Sequence, residues 1–316
     1  MTGLDKTKKI LVLGANPAWQ KTLYFRNFAY GDVNRSCRME TYPAGKGVNF
    51  CRAAKVWGRA VPELYQFTGG VNGDLLRDGL EREDLAAVSI PVAGATRCCT
   101  TCLDESTRTM TELIEPSHAV SEAEADRLLE AFKRGLAGAS GAAVCGSLPD
   151  GSSYTIYHRA AALAHEAGVP VLLDAWQNIE PCLNAGKNIL KINRQELSKM
   201  TGISDLRAAL KALFSRFELQ FAAITDGAEC AYASDGKTLF EYTLMPLAEV
   251  VSPLGCGDTA SAVLLSEAVA GTPFEYAFQL ALGAASANCL NGTSGSFDRS
   301  TAVGLSAGIT VVSGEL

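Results

Sequence analysis

Val250–Leu265 reads VVSPLGCGDTASAVLL. An apolar pair leads through Ser252-Pro253 into Gly255-Cys256-Gly257-Asp258, after which Ala260, Val263 and Leu264 recur at helical spacing. Two glycines around one residue let the backbone turn sharply and leave consecutive N–H groups free. At a helix start those orphan donors and the dipole favour negative charge, yet Asp258 puts a carboxylate there and should be held ionised by the same field. A nest of donors beside a proton-accepting carboxylate is what phosphoryl transfer to a hydroxyl requires. A glycine turn with Asp258 capping a helix accounts for the same residues. This stretch alone leaves both readings open.

The chain of 316 residues is long enough for one large α/β domain or two small ones. A hydrophobic fraction of 47% with 20% charged residues fits an ordinary soluble globular protein. Net charge of −6 argues against a general nucleic-acid binder, while a few local Lys and Arg still permit an anionic substrate. Lys8-Lys9 precede only Ile10–Leu13 before Gly14-Ala15-Asn16-Pro17, too short a run for a signal peptide, and no stretch has the length of a membrane span. Ten cysteines include Cys98, Cys99 and Cys102, but the cluster lacks a second pair or a histidine at zinc-ligand spacing. Reduced, mostly buried thiols in the cytoplasm are the expectation.

Along the chain, Lys9–Gly14 (KILVLG) reads as a buried first strand with Asn16-Pro17 as its turn. Thr22–Phe28, Arg35–Thr41, Ala87–Pro91, Thr96–Leu103 and Thr109–Ile114 are short, often Thr-rich strands. Helices are expected over Val48–Trp57 and from about Gly73 to Arg82, with a strand near Leu64–Thr68 between them. Ser121 with Glu124 makes a capping box before Ala125–Phe132. Regular alternation follows: strands at Ala142–Cys145, Val169–Asp174, Asn188–Lys191 and Phe221–Thr225, and helices at Ser153–Ala167, after Asn193 and over Leu206–Phe217. Cys230–Ala233 and Thr238–Tyr242 suggest a hairpin, and the helix after Asp258 is followed by a second, Phe274–Asn288. Such alternation predicts an α/β fold with a mainly parallel sheet and helices on both faces. The early strands, from about Ala18–Thr41 and Ala87–Ile114, would form a small β-sheet lid.

In open parallel sheets ligands collect at the carboxyl ends of the strands. Asn16–Thr22, Gly146-Ser147, Asp174, Lys191 with Asn193, Thr225-Asp226-Gly227 and Gly255–Asp258 all fall there. Gly45-Lys46-Gly47 lacks the following Ser or Thr and the spacing of a P-loop, but stands as an anion site at a helix start. Arg35, Arg52 and Arg97 are the arginines that could pair with a phosphate. His118, His158 and His165 have no partners in the sequence and receive no role.

In order along the chain, the motifs Asn16-Pro17-Ala18 with Lys21-Thr22, Gly31–Arg35 (GDVNR), Ala44–Asn49 (AGKGVN), Thr96-Arg97, Thr111-Glu112, Gly146–Pro149 (GSLP), Lys191–Glu196 (KINRQE) and Gly255–Thr259 resemble the ribokinase-like (PfkB) carbohydrate kinases. The resemblance runs from Asn16 to about Thr293 and is nearest to the branch of 1-phosphofructokinases and tagatose-6-phosphate kinases. It implies a three-layer ribokinase-like sandwich, one domain over 1–316, and an enzyme that phosphorylates a sugar phosphate with ATP and Mg2+. Asp258 would be the base, and the Gly255, Cys256 and Gly257 amides would hold the charge on the transferred group. Gln20, Arg35, Gly45, Lys46, Asn49, Arg97 and Ser147 would face the phosphosugar. Lys191, Asn193, Thr225, Gly227 and Asn288 would serve the nucleotide, with Asn193 and Glu196 holding magnesium mostly through water. No nucleic acid or membrane partner is implied, and there is room for a homodimer through the lid.

Departures from the family pattern crowd the sugar end. Gln20 replaces an aspartate that grips sugar hydroxyls, and an amide cannot act as two charged acceptors. Ala44 replaces the first of two glycines, Ile192 a proline, Cys230 a glycine, and the segment after Asp174 reads Ala-Trp-Gln. The catalytic-end residues survive. That pattern implies an active kinase with an unusual substrate, against the alternative of a sugar- or nucleotide-binding regulator that has lost turnover.

Overall fold

The computed structural model describes residues 8–316. Its strands are β1 (Lys8–Leu13), β2 (Ala18–Phe25), β3 (Arg38–Ala44), β4 (Ala60–Thr68), β5 (Ala87–Pro91), β6 (Arg97–Asp104), β7 (Thr109–Ile114), β8 (Gly141–Cys145), β9 (Val171–Asp174), β10 (Asn188–Asn193), β11 (Leu219–Asp226), β12 (Cys230–Ser234), β13 (Thr238–Thr243) and β14 (Thr310–Glu315). The helices are α1 (Lys46–Trp57), α2 (Gly70–Arg82), α3 (Glu122–Gly135), α4 (Thr155–Glu166), α5 (Glu180–Leu183), α6 (Arg194–Thr201), α7 (Leu206–Arg216), α8 (Cys256–Val269), α9 (Phe274–Asn288) and α10 (Arg299–Ala307).

The large sheet has the order β14-β13-β12-β11-β10-β9-β8-β1-β4-β5. From β5 to β11 every neighbour is parallel; β12, β13 and β14 extend that sheet antiparallel. Strands buried on both faces need apolar residues at every position, and their period of two sends alternate side chains to opposite layers. In β1, Leu11 and Leu13 join the core formed with α3, α4 and α7. Ile10 and Val12 join the core formed with α1, α8 and α9. Helix α8, buried from Asp258 to Glu267, is correspondingly apolar around most of its surface. This is the expected α/β architecture with a mostly parallel central sheet between helical layers.

A second sheet, β3-β2-β6-β7, supplies the small layer expected from the early strands. One of those strands belongs elsewhere. Ala87–Pro91 pairs parallel with β4 at the edge of the large sheet, not within the small one. Parallel neighbours need a crossover, and α2 between β4 and β5 provides it; Val88 and Ile90 pack against the α3 side of the core. The chain also continues past Asn288 into α10 and β14, elements the sequence reading left unassigned.

Strand β1 lies between β4 and β8, so the chain leaves it first to one side and later to the other. Such a reversal opens a crevice at the carboxyl ends of the two diverging strands. Here those ends are Gly14–Asn16 and Gly146–Ser147. A close backbone approach closes the floor: a Cβ on Gly14 would lie 2.7 Å from the Cα of Gly47, and the converse distance is also 2.7 Å. Gly14→Ala should therefore cost about 1–3 kcal/mol through overpacking. Gly304→Ala, in α10 with open space around it, should instead add about 0.5–1 kcal/mol by lowering the entropy of the unfolded chain. Chemical denaturation of the two variants checks this, and equal effects would contradict the packing assigned to Gly14.

Candidate active site

A cavity of about 590 Å3 opens at the β1/β8 crevice, bordered by Asn16, Lys46, Arg97, Ser147, Trp176 and Glu196 among others. Its base is a buried cluster of charges contributed by four elements. Lys46, the first residue of α1, donates from Nζ to Oδ1 of Asp174 at 2.8 Å. Ser261 of α8 donates to Oδ2 of the same carboxylate at 2.6 Å, and Lys191 Nζ of β10 lies 3.9 Å from that oxygen. Burial alone would raise the Asp174 carboxyl, but the Lys191 and Lys46 ammonium groups and the two hydrogen bonds outweigh it and hold it below its ordinary value. Burial works against the charge on Lys46 too; Asp174 and Asp258 override it and push its pKa up, so the lysine stays protonated.

Asp258 is the third residue of α8 and is buried. Its Oδ2 accepts a 2.7 Å hydrogen bond from Asn49 Nδ2. The turn before it depends on two glycines. Gly255 has φ of 79°, in the left-handed region, and a Cβ on Gly257 would stand 2.8 Å from Lys191 Nζ. The N–H groups of Gly257 and Asp258 form no backbone hydrogen bond among the described residues. Two free amides and an ammonium group thus converge beside a carboxylate, the charge pattern that receives an anion. The sequence reading had the helix terminus holding Asp258 ionised. Burial dominates instead and, with the Asp174 charge adding to it, raises the Asp258 carboxyl above its ordinary value, although Lys46, Asn49 and Lys191 pull the other way. A carboxyl raised in this way is a better proton acceptor.

At the other end of the cavity, Asn16 Nδ2 donates to Ser147 Oγ at 3.3 Å. Arg97 Nη2 donates to the Asn16 carbonyl at 3.2 Å, while its buried Nε has no partner. Gly45 caps α1 directly before Lys46. Gln20 is buried in the small sheet and committed there: Nε2 donates to Thr101 Oγ1 at 2.7 Å and to the Lys21 carbonyl at 3.2 Å. Arg35 is not brought to the cavity within one chain. It lies on the exposed 26–37 loop beyond Tyr24, whereas Arg97 faces Ala18 at the opposite end of β2. At about 3.3 Å per residue, six residues of strand separate them by more than an arginine can span.

Asn193 and Glu196 form a capping box at the start of α6: Asn193 Oδ1 accepts from Glu196 N at 2.9 Å, and Glu196 Oε2 from Asn193 N at 2.8 Å. Both retain free oxygen lone pairs, and Glu196 borders the cavity. No cluster of three or more His, Cys, Asp or Glu among the described residues could cage a metal. This donor set fits a hard cation that keeps most of its waters and arrives with phosphates. Thr225 lies opposite Asn193 across the β10/β11 pair, with Gly227 exposed just beyond. Asn288 departs from expectation. It is fully buried, and its amide is spent within the protein: Nδ2 donates to the Leu254 carbonyl (2.9 Å) and Cys256 Sγ (3.2 Å), while Oδ1 accepts from Gly295 N (2.7 Å) and Thr259 Oγ1 (3.3 Å). Asn288 therefore clamps the turn before α8.

The sequence reading placed Asp174 only at a strand end and did not single out Ser261. The available signal was one acidic residue closing the otherwise apolar β9, VLLD. Strand alternation also separates the cysteine cluster, since Cys98 and Cys102 share one face of β6 and Cys99 takes the other. Among the described residues no helix is long and apolar enough to cross a membrane.

Residues 8–300 match the family model described as pfkB family carbohydrate kinase. Among solved structures, a possible 1-phosphofructokinase from Thermotoga maritima superposes with a TM-score of 0.86 at 18% identity, covering 98% of this chain and 99% of that one. Phosphofructokinase-2 from Escherichia coli in complex with fructose-6-phosphate gives 0.84 at 20% identity, covering 95% and 99%. The tetrameric inhibited form of the same E. coli enzyme gives 0.84 at 19% identity, again covering 95% and 99%. At these identities the superpositions establish the fold.

The Asn288 clamp yields a prediction. Asn288→Ala removes the amide from four contacts, at about 1 kcal/mol each with buried partners left unsatisfied, and should lower unfolding stability by roughly 3 kcal/mol or more. Denaturant titration gives that number. Unchanged stability with a purely nucleotide-specific defect would contradict the clamp.

Proposed function

The chain belongs to the pfkB family of carbohydrate kinases, and on that premise we propose that it moves the terminal phosphoryl group of ATP onto a hydroxyl of a sugar phosphate, with Asp258 as the base. One observation carries this reading: a buried carboxylate, oriented by Asn49 at 2.7 Å, stands beside the unpartnered Gly257 and Asp258 amides and the Lys191 ammonium group. A sugar hydroxyl is a poor nucleophile at neutral pH and needs a base within reach as the phosphoryl group transfers. Charge accumulates on the transferred oxygens at that moment, and preorganised amides and lysines lower its cost without reorganising. Asn49 fixes the orientation of the Asp258 carboxylate. Lys46 and Lys191 offset both buried carboxylates as a proton reaches Asp258.

The sugar phosphate would lie between the small sheet and the β1/β8 crevice. Arg97, with its buried and unpartnered Nε, and Ser147 suit its existing phosphate, with Lys46 and Gly45 toward the reacting end. Gln20 would present one carbonyl oxygen, since its NH2 is already engaged, so hydroxyl recognition would be weaker than a carboxylate provides. Lys191, Thr225 and Gly227 would border the nucleotide. Asn193 and Glu196 would hold a magnesium ion through its waters, and that ion supplies neutralising charge to the phosphates when bound. A homodimer through the small sheet would cover Met39 and Leu113, exposed together on its outer face. It is also the arrangement that offers Arg35 of one copy to the sugar phosphate of the other. A regulator without turnover would have no use for a free anion turn joined to a raised carboxyl.

The test is ADP release coupled to a panel of sugar phosphates and their unphosphorylated counterparts. Turnover should require the phosphate, and Arg97→Ala should raise KM for it by about 10- to 100-fold, the worth of a charged hydrogen bond, with a smaller effect on kcat. Equal turnover of unphosphorylated sugars, indifferent to Arg97→Ala, would refute the assignment. The pH profile is a separate prediction. The base must be ionised, and its carboxyl is raised, so kcat should fall on acidification through a midpoint above the ordinary carboxylate value of about 4. A rate that stays level down to that value would contradict the assignment of Asp258.

A further inference from the structure

Cys256 and Cys289 bring their sulfurs to 2.9 Å. Both residues are partly exposed, and no other two cysteine thiols among the described residues hydrogen-bond each other. Their positions give the contact meaning. Cys256 is the first residue of α8, directly before Gly257, and Cys289 caps the end of α9. The Cys289 carbonyl accepts from Val251 N at 2.8 Å and Ser252 N at 3.1 Å, the segment leading into the glycine turn. Asn288 Nδ2 meanwhile holds Cys256 Sγ at 3.2 Å. Cys289 therefore holds the start of the Val251–Cys256 segment through its carbonyl, while Cys256 sits within the anion turn at the segment's other end.

We propose that Cys256 and Cys289 form a reversible disulfide that shuts down phosphoryl transfer by drawing the first residue of α8 toward Cys289 at the end of α9 and so distorting the glycine turn. This rests on the reading above of Gly255–Asp258 as the phosphoryl-holding turn. A peroxide is a sufficient oxidant. The Cys289 sulfur attacks one peroxide oxygen; the O–O bond breaks, leaving a sulfenic acid on Cys289 and releasing water. The Cys256 sulfur then attacks the Cys289 sulfur, the S–O bond breaks, and a second water leaves with the Cys256 proton. Two thiols lose two electrons and the peroxide gains them. The hydrogen bond with Cys256 holds the Cys289 thiol below its ordinary value, which favours Cys289 as the first nucleophile. Bonding draws the sulfurs together from 2.9 Å to a covalent length of about 2.05 Å, and the Cys256 and Gly257 amides move with Cys256. Displacement of about 1 Å at a reacting centre costs on the order of 10²-fold in rate. Arg97 and Ser147, at the far end of the cavity, are left where they are.

The experiment treats the full chain with hydrogen peroxide and reads two quantities. Non-reducing peptide mapping should recover a Cys256–Cys289 link. The oxidised protein should lose at least about tenfold in kcat, with KM for the sugar phosphate changed by less than about threefold, and dithiothreitol should restore the rate. Cys289→Ala and Cys289→Ser should keep their activity through the same treatment. The mapping stands whether or not a sugar phosphate is turned over, so failure of the kinase reading is seen separately, as an inactive reduced protein. ATP affinity, measured directly, then replaces kcat and should fall on oxidation and return with dithiothreitol. Two free thiols in the map after exposed Cys37 has been oxidised would overturn the proposal. A recovered link that leaves both rate and ATP affinity unchanged would overturn it equally.

Discussion

Asp174 is a carboxylate buried where four elements meet, and its contacts hold the site together. It ends β9, accepts from Lys46 at the start of α1 and from Ser261 of α8, and faces Lys191 of β10. A buried charge is tolerated only when paired and hydrogen-bonded, and removing one partner of such a set typically costs about 3–5 kcal/mol. The requirement fixes the start of α1 against the large sheet and α8 across it. Asn49, one turn along α1, then meets Asp258, one turn before Ser261. Asp258, the proposed base, is thus positioned through the contacts of a different carboxylate.

The same cluster explains why the two buried carboxyls shift in opposite directions. Two lysines face two buried acids. Asp174 takes the direct ammonium contact and is held low, which leaves Asp258 with an amide partner, burial, and a like charge nearby; its carboxyl is raised. Environments that push paired carboxyls apart suit them to separate tasks, and the raised member is the one proposed above as the base. The glycines before Asp258 complete the arrangement. Gly257 leaves room for Lys191, so the positive end of α8 and an ammonium group stand together, a repulsive pairing until an anion lies between them.

Much of this was legible in the sequence because backbone demands leave local traces. The Gly255–Asp258 turn, the buried β1 and the alternating strands and helices follow from periodicity and glycine placement, and the ordered motifs pointed to the family. Partnerships across the chain were less legible. Nothing local says that Asn288, near an apparent pocket, spends its whole amide on Leu254, Cys256, Thr259 and Gly295. Arg35 belongs to a recognisable motif, but only the direction of β2 reveals that it lies at the far end of the small sheet from Arg97. Ala87–Pro91 resembled the small-sheet strands in length, and its partner β4 decided its place. The raised carboxyl of Asp258 depends on burial, which a helix-start motif does not encode.

The central claim is that Asp258 takes the proton, and Asp258→Asn tests it most directly because the amide keeps the shape and an oxygen that can accept from Asn49. The measurement is kcat per folded molecule beside ATP affinity on the same protein. Loss of a general base should lower kcat by roughly 10²–10⁴-fold with ATP affinity nearly unchanged. A variant that melts at lower temperature yet turns over sugar phosphate at the native rate would give Asp258 a purely structural role and contradict the account.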